Sequence, residues 1–135
     1  MILQLSNPLF IPKILDLAKV IKEMPLDVLE KMLLSGINDK DTVIYIDERN
    51  GEVRGCIFAS KENWNGEEVA FIQFCSVRPI GEESYICFEL LTKVKLWAKD
   101  KNIQTLVFTT KRNPRLFERK YGFKYEGAIL KRRVL

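Results

Sequence analysis

The stretch SVRPIGEESYICFELL, residues 76–91, decides how this chain is read. A largely apolar run ends at Val77, Pro79 and Gly81 interrupt it, and an amphipathic pattern starts at once. Ile86, Leu90, Val94 and Ala98 form one stripe with Cys87 and Leu91 beside it, while Lys93, Lys95 and Lys99 fall elsewhere. That is helical spacing with one buried side, so the stretch reads as strand, tight turn, then a helix over about 83–101. A helix start offers unpaired N–H groups and the positive end of the dipole, which suits a phosphate. Yet Glu82 and Glu83 stand at this start. Acidic residues stabilise a helix N-terminus, but the dipole returns only about 0.3–1 kcal/mol. A carboxylate about 5 Å from a phosphate charge costs roughly 1–3 kcal/mol. The turn is shaped for an anion and charged against one.

Working backwards, DTVIYIDE and EVRGCIFAS flank Asn50-Gly51, and Asn65-Gly66 precedes EEVAFIQFCSV. Asn-Gly pairs mark type I′ hairpins, so strands at about 42–48, 52–60 and 67–77 form an antiparallel meander. The third is almost continuously apolar from Val69 to Phe74, which predicts cover on both faces. MILQL reads as a short first strand, SNPLF as a cap and turn, IPKILDLAKVIKE as a helix, and PLDVLEKMLLSGIN as a second helix stopping near Gly36. Working forwards, IQTLVFTT gives a strand at about 104–110, joined to the third by a right-handed parallel crossover. NPRLFERKYGF supplies a short helix with Asn113 as cap and Pro114 at its first position. KYEGAILKRRV closes as a last strand. The order β-α-α-β-β-β-α-β-α-β describes a single α/β domain over residues 1–135, a mixed sheet with helices on both faces.

Composition narrows the chemistry. There is no histidine, which excludes Ser-His-Asp and Cys-His nucleophile systems and every His-containing metal site. Cys56, Cys75 and Cys87 are odd in number and far apart, so they read as free thiols in a reducing cytoplasm, and no metal is expected. No apolar run approaches the roughly 20 residues that cross a membrane, and MILQLSNPLF lacks the marks of a secretory signal. A cytoplasmic location with no membrane partner is the expectation. Charge is uneven: residues 111–135 carry nine Lys/Arg against two Glu, while the rest of the chain is net negative. That end faces either an anion or only water.

The element order, VRPIGEESYICFELL and the later LFERKYGFK together resemble the GNAT acyltransferase superfamily, whose members move an acetyl or other acyl group from CoA to an amine. The resemblance implies an acyl-CoA-dependent N-acetyltransferase, with acetyl-CoA or another acyl-CoA as cosubstrate and a small-molecule or peptide amine as acceptor. It implies that strands 67–77 and 104–110 splay at their C-terminal ends. Backbone groups near Phe74, Cys75 and Val77 would then bond the pantetheine amides like an added strand. The pyrophosphate would rest on the helix start at Glu83, Ser84, Tyr85 and Ile86. Lys111, Arg112 and Asn113 would lie near the adenosine end, with Arg115 beside them. The amine would approach over the first two helices.

Three positions depart from the family. Its phosphate turn, Arg/Gln-x-x-Gly-x-Gly/Ala, is written here with Glu82, Tyr85 and Cys87. Its usual Tyr acid falls on Phe117, leaving Tyr121, one helical turn on, as the substitute. Its Glu base falls near Gln73, which cannot take a proton but can orient a water; Glu67 and Glu68 lie earlier on the strand. Gln73, Tyr121 and Glu68 are therefore the catalytic candidates. The competing reading is a catalytically degenerate module of the same fold that binds a protein, or a nucleic acid through Arg119, Lys120, Lys124, Lys131, Arg132 and Arg133. A homodimer, suggested by Trp64 and Trp97, is a third.

Overall fold

Both hairpin turns form as their Asn-Gly pairs predict. Asn50 and Gly51 have φ of 53° and 79°, and Asn65 and Gly66 have 53° and 88°, the double positive φ of a type I′ turn. The structure, a computed structural model, describes residues 1–21, 24–109, 114–124, 127 and 132. Its strands are β1 (Ile2–Gln4), β2 (Thr42–Arg49), β3 (Glu52–Trp64), β4 (Glu67–Val77) and β5 (Leu106–Phe108). They form one sheet in the order β1-β2-β3-β4-β5. The first four are antiparallel neighbours, and β5 joins β4 in parallel. The helices are α1 (Ile11–Ile21), α2 (Leu26–Ile37), α3 (Glu83–Asp100) and α4 (Pro114–Tyr121). Most of the expected last strand, the Asn113 cap, Lys111 and Arg112 lie outside the described residues.

Two strand lengths differ from expectation. β3 continues past Ser60 because Lys61 to Trp64 pair with Ala70 to Glu67. β5 is only three residues long.

The sheet has a core on each face. On one, Ile14, Leu17, Leu29 and Leu33 of α1 and α2 pack with Ile44, Ile46, Cys56, Phe58 and Phe74. On the other, Ile86, Leu90, Leu91 and Val94 of α3 pack with Val43, Ile57, Ala59 and Ile72. Burial pushes the Cys56 thiol up to about 12, so it is an inert packing group. Trp97 is half-buried against the α3-side core, while Trp64 is 40% exposed. Gly36 lies inside the last turn of α2 and admits Phe58: a Cβ there would stand 2.6 Å from the ring. Its role is close approach, not chain reversal.

Gly55 seats α3. A Cβ on it would meet Ile86 Cγ2 at 2.9 Å and Leu90 Cδ1 at 3.2 Å. Ile86 belongs to the first turn of α3, so this glycine sets how closely the helix start approaches the sheet. Gly55→Val should lower unfolding free energy by about 1–3 kcal/mol through overpacking, read as an earlier urea midpoint; an unchanged midpoint would mean that α3 is not seated there.

Candidate functional site

Among the described residues, β4 is flanked by two strands only in its middle, from Ala70 to Ile72. Its pairing with β5 covers Ala70↔Leu106, Phe71↔Val107 and Ile72↔Phe108 and ends there. Its pairing with β3 continues to Gly55↔Val77. Among the described residues, the outer edge of Gln73 to Val77 therefore has no strand beside it. The β3 register also shifts at this point, with Phe58 opposite Phe74 but Ala59 opposite Ile72. Gln73 is the extra residue of a β-bulge, a device that bends a strand and increases its twist. The bulge inverts the alternation of faces: Ile72 joins the α3-side core, Phe74 the other, and Cys75 and Val77 return to the α3 side.

Below the open edge lies a small apolar gap, about 10 Å³, lined by Ile72, Cys75, Cys87, Leu91, Phe108, Phe117 and Phe123. The rings of Phe108 and Phe117 stand 4.9 Å apart and those of Phe117 and Tyr121 6.0 Å apart, so α4 covers this end. Tyr121 reaches the same place. Its hydroxyl hydrogen-bonds with Cys87 and Ser84, and burial first, then Cys87, pushes it up to about 12.

β4 runs straight into the turn before α3. Gly81 takes φ 88°, and its N–H donates to Glu83 Oε1 at 3.2 Å. Glu82 is the N-cap without a side-chain capping bond, and the first intrahelical bond is Ile86 N–H to Glu82 O at 3.0 Å. The N–H groups of Glu83, Ser84 and Tyr85 thus precede the helical ladder. Glu82 is not a bare charge. Its Oε2 lies 3.2 Å from Arg54 Nη1, and Arg54 donates from Nε to Asp47 Oδ2 at 2.8 Å. Asp47 is 3% exposed. Lys120 of α4 donates to Ser84 Oγ at 3.2 Å, which adds a cation above the helix start. Tyr85 is 64% exposed and bonds Glu89, so its ring points away from the turn.

The sequence model of the acetyltransferase (GNAT) family matches residues 12–123. The chain belongs to the GNAT acetyltransferase family. Solved structures of the same fold include the aminoglycoside N-acetyltransferase AAC(6')-Iy in complex with CoA, at 16% identity and a TM-score of 0.81 over 100% of this chain and 95% of that one. Another is aminoglycoside 6'-N-acetyltransferase AAC(6')-Ih from Acinetobacter baumannii, at 17% identity and 0.82 over 100% and 98%. A predicted acetyltransferase with acetyl-CoA from Clostridium acetobutylicum aligns at 17% and 0.79 over 99% and 97%. At these identities the likeness shows the fold. No curated protein sequence matches the chain. Among the described residues no helix is long and apolar enough to cross a membrane.

Within this GNAT fold the site residues expected from sequence fall into groups. Gln73, Cys75 and Val77 lie on β4 beyond its last pair with β5; Phe74 does so too, but its ring is 2% exposed in the α1/α2 core. Glu83, Ser84 and Tyr85 form the helix start, and Ile86 is buried beneath it. Glu68 is not brought to them. It is five residues before Gln73, about 16 Å along an extended strand, and its carboxylate lies 3.3 Å from Lys61 Nζ. Glu67 accepts from the Thr105 hydroxyl. Arg115 is exposed on α4. Sequence reasoning missed Arg54, Asp47 and Lys120 at the turn, and Ser60 and Glu62 beside the bulge. Only Arg54, a lone Arg inside an apolar strand, carried a signal.

Removing the Arg54 guanidinium leaves buried Asp47 with the Met1 ammonium, 3.3 Å from its Oδ1, as its remaining cation. Arg54→Met should cost about 1.5–3 kcal/mol of stability, the worth of hydrogen bonds to a charged group, whereas Glu82→Gln, half-exposed, should cost under about 1 kcal/mol. Equal urea midpoints for the two variants would refute this ranking.

Proposed function

We propose that this GNAT-family chain transfers an acyl group from acyl-CoA to the amine of a small molecule. The observation that carries the reading is that the β4–β5 ladder ends at Ile72 while β4 runs on beside β3 to Val77, close to a helix start whose first N–H groups precede the helical ladder. An extended arm with amide groups completes such an edge as a further strand does. The residues fit the cosubstrate in three places. The backbone of Gln73 to Val77 would take the arm. The N–H groups of Glu83 to Tyr85 would take the pyrophosphate, with Lys120 at the helix start and Arg54 offsetting Glu82. The gap at Cys75 and Cys87, beside the rings of α4, would lie below the thioester end.

The transfer follows from these placements. The amine nitrogen attacks the thioester carbon, a C–N bond forms, and charge gathers on the carbonyl oxygen, where a β4 backbone N–H can donate to it. The C–S bond then breaks. The nitrogen sheds one proton to water, and the released thiolate takes up a proton from water. Tyr121 serves this step as a hydrogen-bond donor. A thiol ionises near 8.5, so outright donation from a hydroxyl held up at about 12 is uphill by several kcal/mol, while the hydroxyl remains a donor at every working pH. Placement of the two reactants supplies most of the acceleration. The small-molecule acceptor is supported by the aminoglycoside acetyltransferases that share the fold.

Acetyl-CoA at millimolar concentration should raise the melting temperature, and CoA thiol should appear when a panel of primary amines is supplied; neither a shift nor thiol release would refute the reading. Tyr121→Phe should lower kcat about 10–100-fold, the range for a hydrogen bond to a charged group, without changing the alkaline side of the pH–rate profile up to pH 9. An alkaline limb that disappears with the hydroxyl would show instead that Tyr121 titrates during turnover.

A further inference from the structure

A chain of three side chains lies against the bulge. Gln73 Nε2 donates to Ser60 Oγ at 2.8 Å, and Ser60 Oγ donates to Glu62 Oε1 at 3.0 Å. Ser60 is 4% exposed, while Glu62 and Gln73 are exposed at either end. Ala59 belongs to the α3-side core and Phe58 to the α1/α2 side, so Ser60 and Glu62 share the α1/α2 face by strand alternation. That is the side away from α3 and the phosphate turn. Gln73 stands one residue beyond the last β4–β5 pair.

The chemistry of the three groups fixes a direction. Ionised Glu62 can only accept, so the single Ser60 proton points to it. Ser60 Oγ is then an acceptor toward Gln73, and only the amide nitrogen can answer. The flip of the Gln73 amide is therefore set by a carboxylate on another strand. Its Oε1 faces the other way and accepts no bond among the described residues.

We propose that Glu62 and Ser60 are positioning residues that hold Gln73 Oε1 outward, where it accepts an N–H of the incoming amine and aims the nitrogen at the thioester. The inference rests on the N-acyltransferase reading and names the acceptor class: a primary amine. Such an amine has two N–H groups in its neutral form. One is lost as the amide forms, and the other stays on Oε1 from attack to product. A secondary amine has a single N–H, which it must lose.

The test is a double-mutant cycle in acetyl transfer to a primary amine and to its N-methyl derivative, using Ser60→Ala, Glu62→Ala and the double variant, each checked for an unchanged melting profile. Each single change should lower kcat/KM for the primary amine about tenfold, the worth of one hydrogen bond, and the double change should lower it no further, because the two act through one chain. KM for acetyl-CoA should stay constant, and the preference for the primary over the N-methyl amine should shrink in all three. Multiplicative losses, an equal rise in KM for acetyl-CoA, or an unaltered preference would overturn the proposal. If the unmodified protein transfers to amines and the variants match it, this inference alone fails. If the unmodified protein transfers to no amine, both readings fail together.

Discussion

A strand presents one N–H and one C=O per residue, directed alternately to its two edges, and groups left unmet away from water are costly. Among the described residues, strands flank β4 on both edges from Ala70 to Ile72, and its ladder with β3 alone continues to Val77. The bulge at Gln73 sits at the transition, where the pairing with β5 ends. The proposed site is arranged around that change of neighbours. The turn and the start of α3 continue from the end of the same strand. The rings of α4 lie beside the small apolar gap at Cys75 and Cys87, and the Gln73 side chain stands at the bulge itself. On the proposed reading, an arm carrying peptide-like amides would meet there a strand already extended and held in place from the β3 side.

The electrostatics of the turn depend on the body of the protein. Taken alone, Glu82 opposes a phosphate. In the fold it is one end of a line that runs through Arg54 to buried Asp47. The guanidinium is held from the Asp47 side, so it is available to offset a carboxylate at the helix start whatever else binds there. Lys120 approaches the same start from α4. The family's usual turn places its cation and its glycines within a few residues. This chain places charges of both signs at the helix start from β3, α3 and α4, and the Tyr85 ring turns outward to Glu89.

Much of this could be read from local pattern. Asn-Gly pairs dictated both hairpins, and the Ile86, Leu90, Val94, Ala98 stripe dictated α3 and its buried face, because turn chemistry and helical period act over a few residues. Distant contacts were illegible. Gly36 looked like a helix stop, and only the Phe58 ring arriving from β3 explains it. Nothing near Glu82 in sequence announces Arg54. The bulge left no trace in an apolar run that fits a plain strand equally well. The Glu62–Ser60–Gln73 chain was hidden by a boundary: with β3 ended at Ser60, Glu62 became a turn residue, although residues 60 and 62 share a face once the strand continues.

The central claim is that β4 beyond its last pair with β5, Gln73 to Val77, is the seat of the acyl-CoA arm. Residue-resolved amide hydrogen exchange with and without acetyl-CoA tests it most directly. Alternate amides between Gln73 and Val77, together with those of Glu83 to Tyr85, should exchange more slowly when the cosubstrate is present, while the β2–β3 ladder stays as it was. Unchanged exchange along Gln73 to Val77, with protection appearing elsewhere on the surface, would contradict the account.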